Sequence, residues 1–158
     1  RRLEGLGEIH LVIAGTGPEE SALRALAADS PVPVHFLGHR DDVDRWLAAA
    51  DVVAMPSRRE TFGRVTLETM AVGRPLVAAR VGGLVEAVVD NVTGRLVPPE
   101  DPDALAGALR SLLADRALRQ RMGAAARARF ETCYTIDHMA ASWRRAWEQI
   151  AAGAERVG

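Results

Sequence analysis

Apolar positions along this chain fall into two regimes. Over 9–98, short apolar runs alternate with segments of helical spacing; beyond Pro99 the spacing is helical throughout. The run IHLVIAG at 9–15 is short and rich in branched residues, and Gly-Thr-Gly-Pro closes it, which predicts a buried parallel strand. Pro18 then opens a predicted helix that runs to Ala28, with Glu19 and Glu20 at its positive end. The alternation continues with a strand at 34–38, then a helix at 41–49 that sets Val43, Trp46 and Leu47 on one face. A strand at 51–56, a helix at 63–72 capped by Gly73, a strand at 75–79, a short helix at 84–89 and a strand at 94–98 follow. Strands alternating with helices predict an α/β fold, a parallel sheet with helices on both faces.

After Asp101-Pro102 three helices are predicted. Their apolar stripes are Leu105, Leu109 and Leu112; then Leu118, Met122 and Phe130; then Ile136, Met139, Trp143, Trp147 and Ile150. All three are expected to be packing surfaces. For the Trp143 and Trp147 face, cover for a partner domain is the alternative. No repeat, low-complexity tract or linker divides the chain, so one domain is expected over 1–158, with 1–99 alternating and 100–158 helical.

Composition narrows the partners. The 158 residues are 48% hydrophobic, enough for one real core. A formal net charge of -1 argues against a nucleic-acid clamp and against a polybasic membrane tether. No apolar run approaches the roughly 18–20 residues that cross a bilayer, and the opening RRLEGLGE has no apolar signal core. Cys133 is the only cysteine, which excludes an internal disulfide and fits a reducing cytoplasm, the expected location. Alanine and arginine are abundant and lysine is absent, which reads as codon bias and not as mechanism.

The stretch PSRRETFGRVTLETMAVG (56–73) carries the candidate chemistry. It leaves a predicted strand and enters a helix at Gly63. Ligands of open α/β sheets lie beyond the carboxyl ends of strands. A helix start has free N–H groups and a partial positive charge. Gly63 removes a side chain where a phosphate would approach, so the N–H groups near Gly63, Arg64, Val65 and Thr66 suit a diphosphate. Glu60 and Glu68 flank that turn, and a carboxylate accepts two hydrogen bonds at once, as a vicinal diol offers. By spacing alone, a solvated Glu68 and a Glu60 that merely offsets the helix dipole account for the pair more simply.

The motif ETFGRVTLE (60–68) resembles the E-x7-E signature of the retaining glycosyltransferases of family 4, which have the GT-B fold. The likeness extends through AGTGPE, VHFLGHRDDV, AADVVAMPS, MAVGRPLVAARVGGLVEAV and TGRLVPPEDPDALAGAL, in family order, and weakens only in the last helices. The resemblance implies a Rossmann-like domain, the carboxyl-terminal donor-binding half of such an enzyme, with a helical extension. It implies transfer of a hexose from a nucleoside diphosphate sugar to an acceptor hydroxyl. Glu60 matches the glutamate that faces the donor sugar and takes the catalytic role. Phe62, Gly63, Arg64 and Val65 match backbone that touches sugar and diphosphate, and Glu68 matches the glutamate that binds the ribose hydroxyls. Arg40 matches a position whose backbone contacts the base, and Gly15 and Gly17 a turn bordering the same pocket. Arg64, Thr66 and Thr69 depart from the commonest residues there, which leaves the sugar preference open. No cofactor and no metal are expected beyond the sugar nucleotide.

The resemblance also implies an amino-terminal acceptor domain as partner, and a first strand and helix of this domain with a basic pair for the diphosphate. Neither lies within 1–158. In the family that strand sits between those at 9–14 and 51–55. Either the sheet closes in another order, or a further chain segment fills the gap. The chain alone is expected to bind nucleotide weakly and not to turn over sugar. The rivals are an epimerase-like sugar-nucleotide enzyme of the same fold and a non-catalytic nucleotide-binding module.

Other candidates are plainer. Gly15–Gly17 lacks the full dinucleotide fingerprint. His10, His35, His39 and His138 lack metal-ligand spacing, and His39 is either a surface residue or a liner of the base pocket. Gly82-Gly83 reads as a tight turn, with an anion site as the alternative. Arg58 and Arg59 read as a solvated pair, and Cys133 as inert.

Overall fold

The computed structural model describes residue 6 and residues 8–154. Most of the opening RRLEGLGE, and with it the reading of that segment, lies outside the described residues. Five strands alternate with four helices: β1 (Leu11–Ala14), α1 (Glu20–Ala28), β2 (Val34–Gly38), α2 (Val43–Ala49), β3 (Val53–Met55), α3 (Arg64–Ala71), β4 (Leu76–Ala79), α4 (Leu84–Ala87) and β5 (Gly94–Val97). Three helices follow: α5 (Pro102–Ala114), α6 (Arg116–Cys133) and α7 (Ile136–Ala154). Every predicted element forms, trimmed by a residue or two at its ends, where hydrogen bonding frays.

All strand pairs are parallel, as expected. They form two sheets, β1–β2 and β3–β4–β5. Of the two expected resolutions of the missing strand, closure of the sheet in another order fails among the described residues, and the other, a strand from a second chain or a further segment, concerns residues beyond them. No reordered ladder joins β1 to β3, and no strand lies between them.

The core surrounds β4. Its four residues, LVAA, are all buried, because β3 and β5 flank it and helices cover both faces. Leu76, Ala78, Leu84, Val88 and Leu96 fill one side. Val77, Val97, Ala108, Leu112 and Met122 fill the other, where α5 and α6 pack. Side-chain caps fix where the last helices begin. Asp101 accepts from Ala104 N at 2.8 Å, with Pro102 in the first turn, and Asp115 accepts from Leu118 N at 2.9 Å.

Helix ends in this half are closed by arginines from elsewhere in the chain. Arg74 donates to Ala48 O of α2, and Arg127 to Ala71 O of α3. Arg129 donates to Ala87 O and Glu86 O of α4, both at 2.9 Å. Arg119 donates to Leu112 O and Leu113 O of α5, at 2.9 and 2.8 Å. The last carbonyls of a helix have no partner within it and carry its negative pole, so a guanidinium there satisfies both needs.

Two expectations of burial fail. The strand over 9–15 was expected to be buried, yet Leu11 and Val12 of β1 are exposed and α1 buries no residue. The stripe of the last helix was expected to be a packing surface, yet Ile136, Met139, Trp143, Trp147 and Ile150 are all exposed, Trp143 by 61%. In both cases the apolar periodicity is present and the described residues leave those side chains exposed. No helix among the described residues is long and apolar enough to cross a membrane.

Candidate functional site

The site forms where β3 ends and α3 begins. Gly63 occupies the cap position of α3 with φ 75°, in the left-handed region. A Cβ there would lie 2.6 Å from Leu84 Cδ2 and 3.3 Å from Glu60 Cγ. Only glycine fits both the dihedral and the space. No side chain caps this helix. The N–H groups of Arg64 and Val65 have no acceptor within the helix by its geometry, so the first turn presents its positive pole outward.

The inner face of α3 is held by hydroxyls. Thr66 and Thr69 are fully buried. Thr66 Oγ1 donates to Met55 Sδ at 3.2 Å, which ties α3 to β3, and Thr69 Oγ1 donates to Val65 O at 2.7 Å. The departures from the commonest residues at 66 and 69 are therefore buried and satisfied, away from the outward face.

Glu60 and Glu68 are both half-buried. Glu60 Oε1 accepts from Thr61 N at 3.0 Å, and this orients the carboxylate along its own loop. Glu68 bends back along the helix, with Arg64 Nη2 3.5 Å from its Oε1. The two acids thus flank the open start of α3, with Phe62 and Val65 exposed between them.

Gly15, Gly17 and Arg40 form a second group, at the carboxyl ends of β1 and β2. Gly15 N donates to Gly38 O at 2.7 Å, and Gly15 has φ 117°. Arg40 pairs side-on with Asp42 at 2.7 and 2.8 Å and lies over the Trp46 ring, 5.8 Å from its centre. The hydrogen bond to Asp42 and its charge raise the pKa of the guanidinium, and the Arg40 bond lowers that of the Asp42 carboxyl. The Arg40 side chain is thus engaged within its own loop. Each group stands at the carboxyl ends of its own sheet, and no strand pairing joins the sheets.

The sequence reading gave Gly82 and Gly83 a turn. The structure adds a role. A Cβ on Gly82 would lie 1.7 Å from Glu60 O, and one on Gly83 2.7 Å from Thr61 O. Gly83 N donates to Thr61 O at 3.1 Å. This pair is the floor on which the Glu60 loop rests. The signal was present: parallel neighbours place their carboxyl-end loops side by side, and Gly-Gly follows β4 as the Glu60 loop follows β3. Of the other candidates, Arg58 Nε pairs with Glu100 at 3.1 Å in the open, and Cys133 is exposed. No group of three or more metal-ligating residues forms among the described residues.

Known proteins resemble this chain over most of its length. The family described as Glycosyl transferases group 1 matches residues 1–115. The D-inositol 3-phosphate glycosyltransferase of Xylanimonas cellulosilytica is 41% identical over 153 residues, covering 92% of this chain and 34% of that protein. That of Mycobacterium avium is 40% identical over 164 residues, covering 95% and 38%. The chain spans about a third of the length of these relatives. Among solved structures, Anabaena HepE in complex with UDP superposes with a TM-score of 0.81 at 27% identity, over 89% of this chain and 41% of that one. Sucrose-phosphate synthase from Thermosynechococcus elongatus gives 0.80 at 32% identity, over 92% and 39%.

Proposed function

Because the chain belongs to the glycosyl transferases of group 1, we propose that it is the donor domain of a retaining family 4 enzyme, which moves a hexose from a nucleoside diphosphate sugar to an acceptor hydroxyl. One observation carries the reading: an uncapped helix start at Gly63, flanked by Glu60 and Glu68, at the carboxyl end of β3. The solved relative that holds UDP, and its complex with UDP-glucose, support a sugar nucleotide as the ligand.

In this reading the diphosphate meets the N–H groups of the first turn of α3. As the bond from the anomeric carbon to the diphosphate breaks, negative charge grows on the departing oxygen, and those fixed N–H groups stabilise it without reorganising. Glu60 holds the sugar hydroxyls and so fixes the anomeric carbon in place. Glu68 anchors the ribose, and the backbone at Arg40 with the Gly15–Gly17 turn borders the base. The amino-terminal domain of the full-length protein supplies the acceptor.

Titration of UDP, GDP and ADP into this chain by calorimetry tests the site. Hydrogen bonds to a charged group contribute about 1.5–3 kcal/mol, so Glu68→Ala is expected to weaken saturable binding roughly tenfold to a hundredfold. Equal affinity in that variant removes the ribose assignment. In the full-length enzyme, Glu60→Ala is expected to lower turnover more than nucleotide affinity; turnover matching the parent removes its role.

A further inference from the structure

On the side of the sheet away from Glu60, a cavity of about 570 Å³ opens at the amino ends of β3 and β4. Arg74, Arg116, Arg119 and Arg127 line it, with Asp51 as the one acid in its wall. Four guanidinium groups around one cavity repel each other unless something negative lies among them. Part of that charge is answered. Arg119 reaches Asp51 at 3.3 Å, and Arg127 reaches Glu131 at 2.6 Å. Arg74, Arg119 and Arg127 each also hold the carbonyl end of a helix.

Two features are not answered. Arg116 has no hydrogen-bond or ion-pair partner among the described residues, although it stands in the first turn of α6, at the positive pole of that helix. Arg74 Nε is buried with no acceptor. A buried donor left unpaired is destabilising, and an oxyanion entering the cavity beside Arg74 Nε would accept from it. The helix-end contacts pin the other guanidinium groups, so little rotamer freedom is lost when a ligand arrives. Gly73, Pro75 and Ala124 give part of the wall an apolar surface, and Gln120 completes it.

From this geometry we infer that the Arg74–Arg116–Arg119–Arg127 cavity binds a phosphate-bearing small molecule, separately from the sugar-nucleotide site. Guanidinium groups match phosphate oxygens two at a time, and the cavity exceeds what one phosphate fills, leaving room for an uncharged body beside the apolar wall. The site lies across the sheet from the carboxyl-end loops, so its ligand does not compete with a nucleotide there.

The test is titration of inorganic phosphate, followed through the Nε–Hε signals of the arginines by NMR. Saturable shifts at Arg74 and Arg116 are expected. Arg116 is exposed and has no hydrogen-bond or ion-pair partner among the described residues, and a glutamate suits the first turn of a helix, so Arg116→Glu is expected to melt no lower than the parent and to weaken phosphate binding at least tenfold. Phosphate affinity unaltered in Arg116→Glu, or shifts that fail to saturate, overturns the assignment. Saturable phosphate shifts at the backbone N–H signals of Gly63, Arg64 and Val65 in place of the arginine signals put the phosphate at the start of α3 and also overturn it.

Discussion

β1 and β4 are both four-residue apolar strands following one sequence rule, and they end in opposite surroundings. β4 reads LVAA and every residue is buried; β1 reads LVIA and exposes Leu11 and Val12. The difference lies in neighbours. β4 has a strand on each side and helices above and below. Among the described residues β1 pairs with β2 alone, and the helix between them buries no residue. Apolar alternation records which residues need cover. Whether cover lies within the same stretch of chain is a separate matter, decided by packing.

Leucine truncation on each side of that divide gives the largest contrast. Leu112 is 0% exposed, in the layer between α5, α6 and the sheet. Leu112→Ala removes buried methyl groups and leaves a cavity, for an expected cost of about 2–5 kcal/mol in denaturant unfolding. Leu26 in α1 is 73% exposed, and Leu26→Ala is expected to stay within about 0.5 kcal/mol. Similar costs for the two would mean that the β1–α1–β2 unit has apolar cover after all.

Glycines sharpen the same contrast on a smaller scale. A Cβ on Gly123 of α6 would lie 2.1 Å from Gly73 O, so the helix packs there on bare backbone. Gly123→Ala forces α6 away from the end of α3, at an expected cost of about 1–3 kcal/mol. Gly17 has nothing within 4 Å of where its Cβ would be, and Gly17→Ala is expected to shift stability by a few tenths of a kcal/mol at most. Thermal melts of the two variants decide it, and a larger loss at Gly17 would reverse the picture.

Much of this was legible beforehand. Order and type of every element followed from period and punctuation, and Asp101-Pro102 announced its helix start through capping chemistry. Around Glu60–Glu68, the strand end, the glycine and the helix start were legible because all three are local features. What escaped depends on contacts distant in sequence. Gly82 meets Glu60 O across two strands, and Arg127 closes a helix 56 residues earlier. The two-sheet split escaped for the same reason: a strand pattern does not name its neighbours. The stripe from Ile136 to Ile150 was read correctly as apolar; within the described residues it is exposed, since period alone does not name the partner, and cover for a partner domain was the alternative.

The smallest expected effect lies in the exposed unit, where a polar contact orders the chain without apolar cover. Arg40 grips Asp42 through two hydrogen bonds at 2.7 and 2.8 Å. That grip lowers the carboxyl pKa from its usual 3.8, first through the hydrogen bond and then through the charge, against some desolvation. A carboxylate whose folded pKa is depressed adds stability above its unfolded pKa and loses it as pH falls through the folded one. The pair is solvated, so the stabilisation is minor and screened by salt. An NMR titration of Asp42 is expected to show a midpoint below 3.8, returning towards that value in Arg40→Gln and partway in about 1 M salt. If the midpoint is the same with and without the guanidinium, the loop after β2 is ordered by something other than this pair.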